Sequence, residues 1–174
     1  PGLHVMDADG ANVERLTTHE RNIRDTSWSP SGSHIAYLIA PRSQPARSVL
    51  VVLGFDEDTR LELGPASGFA WSPDGSRMAV TYRDYSGPYI DGVAVTEPDG
   101  GNRIVISEMS NYSSMGGTRH TAPVWTPDGT RVLFSVKQVS AMGRLNSVTG
   151  IIASPDGLRQ ATGGWASLGL IHRR

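Results

Sequence analysis

Nucleophilic and metal-assisted catalysis need combinations of residues that this sequence does not show in a recognisable pattern. The stretch nearest to the nucleophile motif Gly-x-Ser-x-Gly is GWASLG at residues 164–169, where Trp165 stands in place of the first glycine. The five histidines lack a metal-ligand spacing such as HExxH. The stretch DADGAN at residues 7–12 is similar to a calcium loop but lacks the distal Glu, so a hairpin turn explains it better. We therefore predict no catalytic residue, no metal and no cofactor.

Chemistry suited to protein recognition is concentrated in four long polar connections, at residues 40–48, 83–89, 107–120 and 137–146. Binding residues concentrate in long loops on rigid scaffolds, and Arg, Tyr and Met are enriched at interfaces. The candidate partner-binding residues in these connections are Arg42, Arg47, Arg83, Tyr85, Tyr89, Tyr112, Met115, Arg119, His120 and Arg144. The alternative is that these are solvated loops without a partner.

A Trp-containing pattern recurs in the elements that must hold these connections. It reads TSWSPSGSHIAYL from Thr26, FAWSPDGSRMAVTY from Phe69 and PVWTPDGTRVLFSV from Pro123. Ser or Thr, Pro, Asp and a final Gly predict a type I turn that closes a hairpin, and the apolar residues that follow alternate with a period of two. The Trp residues are 43 and 54 residues apart, which suits one four-stranded propeller blade for each repeat.

A second pattern lies between these copies, in which an apolar strand, an acidic turn and another strand follow each other. It occurs at residues 3–17, 49–64, 92–107 and 149–162. The stretch SPDG belongs to the Trp pattern at Ser72–Gly75 but to the second pattern at Ser154–Gly157, because no Trp precedes the later copy. With the strands of a blade named a to d from the inside out, the first turn joins a to b and the second joins c to d.

The two patterns together predict an all-β chain, a single β-propeller region over residues 1–174. Strands c and d of one blade would be followed by three full blades of four antiparallel strands and by the start of a next blade. The respective ranges are residues 3–17, then 24–64, 67–107 and 121–162, and finally 163–174. An open arc of a larger propeller is favoured over a four-bladed ring closed by residues 163–174. Trp28, Trp71 and Trp125 are predicted to pack between blades, whereas Trp165 stands outside the pattern.

Propeller connectivity would separate the charges onto two faces of the disc. The a–b and c–d turns carry ten of the seventeen acidic residues on one face, where Asp is explained by its preference for turns. The b–c and d–a connections carry the candidate Arg residues on the other face. Turn chemistry does not call for Arg, so the binding surface is predicted on this second face.

Composition narrows the classes of partner. A net charge of -1 without a basic block argues against nucleic acid. The longest apolar runs, at residues 35–40 and 48–55, are far shorter than the roughly 20 residues that span a bilayer, so no membrane insertion is predicted. The absence of cysteine excludes disulfides but does not choose a compartment. A protein or peptide partner remains, and the oligomeric state stays open.

The stretches WSPDGSRMAV, WTPDGTRVLF and VMDADGANVERLT resemble the repeats of the TolB-like β-propeller family, a WD-repeat-like group common in bacteria. The resemblance covers nearly the whole chain, although Ser31 replaces the turn Asp and Thr59 replaces a turn Gly. It implies a non-enzymatic interaction scaffold in the bacterial periplasm or outside the cell. The alternatives are the gating propeller of a prolyl-oligopeptidase-type serine peptidase and the sensor propeller of a membrane kinase, so the enzymatic status of a longer parent protein stays open.

Overall fold

The chain folds entirely into β-structure where the computed structural model describes it. The described residues are 2–17, 22–40, 47–55, 58–84, 90–110, 116–140 and 145–156. They form the strands β1 (His4–Val5), β2 (Glu14–Arg15), β3 (Ile23–Trp28), β4 (His34–Ile39), β5 (Val49–Gly54), β6 (Thr59–Trp71), β7 (Met78–Asp84), β8 (Ile90–Thr96), β9 (Ile104–Ser110), β10 (Gly116–His120), β11 (Val124–Trp125), β12 (Val132–Ser140) and β13 (Leu145–Ala153). No helix capable of crossing a membrane occurs in these residues. The all-β prediction is confirmed.

The strands form antiparallel sheets that do not close on one another. β1 pairs with β2, strands β3 to β9 pair in chain order, and β12 pairs with β10, β11 and β13. β6 belongs to two ladders, because residues up to Pro65 pair with β5 and residues from Ala66 pair with β7. The blade ranges at residues 24–64 and 67–107 stay a prediction, and residues 163–174, predicted to start a next blade, lie outside the described residues. The number of blades stays a prediction.

The Trp pattern ends in the turns that the sequence predicts. In the turn after β6, the backbone N–H of Gly75 donates to the carbonyl of Ser72 at 2.9 Å, and the N–H of Ser72 donates to the carbonyl of Arg77 at 2.8 Å. Equivalent bonds close the turns after β3 and β11. The final glycines Gly32, Gly75 and Gly129 have φ angles of 73°, 73° and 68°, which other residues rarely adopt. These turns join antiparallel strands, as predicted.

The turns of the second pattern, here called outer turns, use different hydrogen bonds from the Trp-pattern turns, here called inner turns. After β8, the N–H of Glu97 donates to the carbonyl of Gly101, four residues ahead, whereas the inner turns reach five residues ahead. The Asn102 side chain also donates to the Glu97 carboxylate at 2.7 Å. Asn12 makes the same contact with Asp7 at 2.6 Å in the turn after β1. The earlier SPDG stretch follows β6 and closes a hairpin with β7, whereas Ser154 follows β13, and the hairpin predicted beyond it lies outside the described residues.

The sheets stack face to face and bury three apolar layers. The β1–β2 hairpin contributes Leu3 and Leu16 to the first layer, which covers Tyr37 of β4. Trp71 lies in the layer between β3–β5 and β6–β8, and Trp125 lies in the layer between β7–β9 and β11–β13. Gly68 permits close approach of the last two sheets, because a Cβ at this position would lie 2.9 Å from the Cβ of Ala122.

The Trp residues mark the joints between sheets, with one exception. The indole N–H of Trp71 donates to the carbonyl of Ser27 at 3.4 Å, and that of Trp125 donates to the carbonyl of Ala70 at 3.0 Å. Both side chains are buried, which confirms the predicted packing role. Trp28 is 47% exposed and stacks on Phe55, so the prediction is wrong for this copy. The reason is that the β1–β2 hairpin packs on β4 and β5 but leaves the end of β3 uncovered.

Candidate functional site

The structure places four of the ten predicted partner-binding residues. Arg42, Tyr85, Tyr89, Tyr112, Met115 and Arg144 lie outside the described residues. Arg47 precedes β5, and Arg119 lies in β10 opposite Lys137 of β12. Both Arg side chains are exposed, at the end of the sheets opposite the Trp-pattern turns. Their role in binding a partner stays a prediction.

Arg83 and His120 belong instead to a buried hydrogen-bonded network around Asp91. Asp91 interrupts the apolar strand β8, and its side chain is fully buried. One carboxylate oxygen accepts from the backbone N–H of His120 at 2.5 Å and lies 2.6 Å from its Nδ1. The other accepts from Nε of Arg83 at 3.0 Å. His120 has no exposed side-chain surface, so its predicted role as a surface contact is corrected to a structural one.

The network extends to Ser107 of β9, which lies 2.9 Å from Nε2 of His120. Ser107, His120 and Asp91 thus follow each other in the order of a Ser-His-Asp triad. A triad needs a His that can exchange protons with a substrate beside the serine. The His120 ring is buried against Phe134, and Asp91 is also held by Arg83, so the arrangement ties β7, β8, β9 and β10 together. The network therefore links the β3–β9 sheet to the sheet that contains β10 through hydrogen bonds.

The environment of Asp91 favours the ionised carboxylate. Burial raises the pKa of Asp91. The hydrogen bonds from the His120 side chain, the His120 backbone and Arg83 lower this pKa by more than burial raises it, so it lies below the usual range for Asp. A buried carboxylate is tolerated because each oxygen has a donor. The sequence carries one signal for this network, an acidic residue inside the otherwise apolar run of β8.

A cleft of about 410 Å³ lies between the β5–β6 and β6–β9 ladders. Its apolar wall includes Leu63 and Pro65 of β6, Val80 of β7 and Ala94 of β8. Tyr82, Arg83, Asp84, Arg103 and Glu108 supply polar groups of both charges. The cleft extends to Arg83 and Asp84 at the end of β7, which begin the connection predicted at residues 83–89, and to Ile90 at the start of β8. This volume falls within the range of ligand pockets, roughly 300–1,000 Å³.

Tyr82 contacts two charged residues in this cleft. Its hydroxyl donates to the Glu108 carboxylate, and the Arg103 guanidinium lies 4.3 Å from the ring centre. Burial and the contact with Glu108 raise the pKa of Tyr82, so the hydroxyl stays protonated. A Cβ at Gly92 would lie 2.6 Å from Cζ of Tyr82, so glycine leaves room for the ring. Sequence reasoning missed Tyr82 and Arg103, because nothing in the pattern distinguishes them from other strand residues.

The acidic turns at the opposite end are stabilised from within. The Asp74 carboxylate accepts from the hydroxyl of Ser72 at 2.6 Å and from the backbone N–H of Ser76 at 3.1 Å. These hydrogen bonds lower the pKa of Asp74 to about 2. Thr126 and Thr130 do the same for Asp128, whose pKa is also about 2. The predicted turn role of Asp74 and Asp128 is confirmed.

The described residues contain no group of three or more acidic or His side chains that could hold a metal.

Comparison with known proteins supports the fold alone. No family model matches the chain. The tricorn protease matches with a TM-score of 0.59 at 8% identity, over 86% of this chain and 15% of that protein. TolB from Acinetobacter baumannii matches with a TM-score of 0.51 at 17% identity, over 88% of this chain and 46% of that one. Oligogalacturonate lyase from Vibrio parahaemolyticus matches with a TM-score of 0.52 at 20% identity, over 87% of this chain and 41% of that protein.

This chain therefore spans less than half the length of each of these three proteins. At such low identity the likeness says nothing of activity. Enzymes and a TolB are found among the similar structures, and what they share is the β-propeller architecture. The chain has a TolB-like β-propeller fold.

Proposed function

We propose that this chain is part of a non-enzymatic β-propeller that binds a protein or peptide partner. The observation that carries the proposal is the cleft around Tyr82. This cleft reaches the end of β7, which lies at the end of the sheets opposite the Trp-pattern turns. Its apolar wall and its groups of both charges suit a peptide, which offers side chains and backbone amides together. Arg47 and Arg119 lie exposed at the same end and supply the charged rim that interfaces use.

The proposed architecture gives this site a rigid base. In it, the β3–β6 and β6–β9 ladders are consecutive four-stranded blades, β1–β2 is the outer half of a preceding blade, and β10–β13 belongs to a following one. An arc of this kind would direct the connections predicted at residues 40–48, 83–89 and 107–120 to one face. Loops carried on such a scaffold can bind without a large ordering cost.

The proposed location is the bacterial periplasm or the cell exterior. The support for it is the resemblance of the repeats to the TolB-like family, together with the match to the TolB of Acinetobacter baumannii. The Ser107–His120–Asp91 network supports the non-enzymatic part of the proposal, because its His is enclosed by the sheets.

The test is a comparison of two paired variants in affinity capture from a periplasmic extract. Arg47→Ala with Arg119→Ala removes the charges at the proposed binding end. The matched control, Arg60→Ala with Arg131→Ala, removes two exposed Arg side chains from the other end of the sheets. The proposal predicts at least a tenfold loss of captured partner in the first variant and none in the control. Equal capture by both variants would overturn the choice of surface.

A further inference from the structure

One aromatic side chain crosses the sheet on the face that lines the cleft. Tyr82 of β7, Gly92 of β8 and Glu108 of β9 lie opposite one another in the two ladders. A Cβ at Gly92 would lie 2.6 Å from Cζ of Tyr82, so the ring extends over β8 at the place where that strand has no side chain. The Tyr82 hydroxyl reaches Glu108 on the far strand and donates to its carboxylate. Glu108 thus receives a hydrogen bond from within the cleft.

Arg103 brings a guanidinium to the same ring. It lies over Tyr82, 4.3 Å from the ring centre, and a ring face attracts a cation without accepting its in-plane N–H donors. Arg103 forms no ion pair with a carboxylate in the part of the chain that the structure describes. Arg83, the other arginine of the cleft, donates to Asp91 at 3.0 Å. Arg103 therefore offers a cation and N–H donors to a ligand of the cleft.

An apolar position lies next to this ring along the strands. Val80 precedes Tyr82 by two residues on β7, and Ala94 lies opposite Val80 on β8. Leu63 of β6 packs against the same apolar cluster as Val80 and lines the cleft from the other ladder. Alternate residues of a strand share a face and are roughly 7 Å apart. The cleft thus presents an apolar position and a cationic one at the spacing of alternate side chains in an extended peptide.

We propose that this cleft binds an extended peptide segment in which an Asp or Glu residue lies two positions from an aliphatic residue. The acidic side chain accepts from Arg103, and the aliphatic side chain packs against Val80, Ala94 and Leu63. The inference rests on the proposed peptide binding and adds the class of peptide that is bound.

A carboxylate is the ligand that fits Arg103 best. Its two oxygens match the planar fork of a guanidinium, which can donate two parallel hydrogen bonds to it. Stacking on Tyr82 restricts the guanidinium before the ligand arrives, so less side-chain freedom is lost on binding. The apolar residues beside the contact lower the local dielectric constant and strengthen the attraction between the two charges.

The occupant is an internal segment and not a chain end, because the cleft continues past both positions. It reaches Ile90 beyond the ring in one direction and Thr96 beyond the apolar position in the other. These two residues are the ends of β8, whose seven residues span about 20 Å. An extended segment of about six residues has this length, so a peptide can pass along the cleft.

Selection from a library of random hexapeptides, each acetylated at its N-terminus and amidated at its C-terminus, tests the class of ligand. Capping removes both terminal charges, so any carboxylate comes from a side chain. The chain should select peptides with Asp or Glu two positions from Leu, Ile or Val. Selection of peptides with Lys or Arg in place of the acidic residue would make Glu108 the main contact and would overturn the proposal. An uncapped peptide that has no acidic side chain but binds equally well would also overturn it.

A double-mutant cycle on one selected peptide tests the contact itself. Arg103→Gln should weaken binding at least tenfold, as measured by fluorescence anisotropy. Replacing the acidic residue of the peptide by its amide should weaken binding to the unchanged chain equally, and both changes together should cost no more than either one. Arg60→Gln is the matched control, because Arg60 is an exposed strand arginine that does not line the cleft, and it should leave the affinity within about twofold.

The outcomes separate this inference from the proposed function. Peptides selected without an acidic residue, or acidic peptides whose affinity Arg103→Gln does not change, would overturn the inference and leave peptide binding in place. Failure to select any peptide would overturn both. The substitution in the peptide does not alter the protein, and a misfolded Arg103→Gln chain would lose the amide peptide as well, so misfolding cannot imitate the expected cycle.

Discussion

Trp28 and Trp71 occupy the same place in two copies of one repeat, but their surroundings differ. Trp71 ends an inner strand that lies against the sheet before it, donates to the carbonyl of Ser27 and is 9% exposed. Trp28 ends β3, on whose sheet only the β1–β2 hairpin packs from that side among the described residues, and nearly half of the Trp28 surface is exposed. The repeat thus specifies where the Trp stands on its strand. Whether the side chain is buried depends on the neighbouring sheet.

The largest expected difference lies in the cost of removing each side chain. Trp71→Ala should lower the free energy of unfolding by about 3–5 kcal/mol, because it leaves a cavity between two sheets and removes a hydrogen bond. Trp28→Ala should cost about 1 kcal/mol, because its ring contacts mainly Phe55. Urea unfolding followed by far-ultraviolet circular dichroism gives both values. Equal losses would mean that the two joints are alike in solution.

The buried network makes a second contrast between covered and exposed residues, on the single strand β10. His120→Ala removes the donor side chain from Asp91 and should lower the free energy of unfolding by about 3 kcal/mol. Arg119→Ala, on the exposed neighbour, should change it by no more than about 0.5 kcal/mol. The same unfolding experiment measures both. A loss for His120→Ala as small as that for Arg119→Ala would contradict the structural role of the network.

Two glycines compare a covered face with an uncovered one. A Cβ at Gly68 would meet Ala122 of the next sheet at 2.9 Å, whereas a Cβ at Gly150 would meet nothing within 4 Å. Gly68→Ala should lower the free energy of unfolding by about 1–3 kcal/mol through overpacking. Gly150→Ala should leave it unchanged or raise it by about 0.5 kcal/mol, because alanine restricts the unfolded chain. Thermal unfolding measures the stability of both variants. If Gly68→Ala does not lower the free energy of unfolding, the two sheets do not stack closely at this position.

The smallest expected effect concerns the inner turns. The pKa of Asp74 is about 2 in the folded chain, below the value of 3.8 that applies without these contacts. A lowered folded pKa means that the stabilising effect is complete above about pH 4 and is lost as the pH falls through 2. Ser72→Ala should move the pKa of Asp74 up towards 3.8, as measured by carboxyl carbon NMR. Asp128 is the internal control, and its pKa should stay near 2.

The two families of turns could be predicted because each depends on residues that are near in sequence. The type I turn at Ser72–Gly75 and the outer turn with Asn102 are closed by contacts within six residues. Asp91, Ser107 and His120 are different, because they meet only when β10 passes beside β8. Periodicity places Asp91 on a strand but cannot supply its partner. The exposure of Trp28 could not be predicted for the same reason, because the burial of the Trp in each repeat depends on the sheet beside it.

The residues of the candidate site differ in the same way, because the exposure of some follows from local sequence and the contacts of others depend on neighbouring strands. Arg47 and Arg119 are exposed, as charged residues usually are, although Arg119 lies in β10 and not in a connection; their role in binding stays a prediction. Arg83 has the same composition signal but pairs with Asp91, eight residues away along the chain on the next strand. Tyr82 and Glu108 form part of the cleft through a contact between β7 and β9, two strands that are not neighbours. Contacts of this kind require the register of three strands, which the sequence pattern does not provide.

An indole hydrogen bond joins neighbouring sheets at Trp71 and again at Trp125, and Trp28 lacks such a bond. Hydrogen exchange of the indole N–H groups, followed by ¹H–¹⁵N NMR with single Trp→Phe variants for assignment, tests it most directly. The indole protons of Trp71 and Trp125 should exchange at least a hundredfold more slowly than that of Trp28, because only the first two are buried and bonded to a carbonyl. Equally slow exchange at Trp28, or fast exchange at all three, would contradict the account.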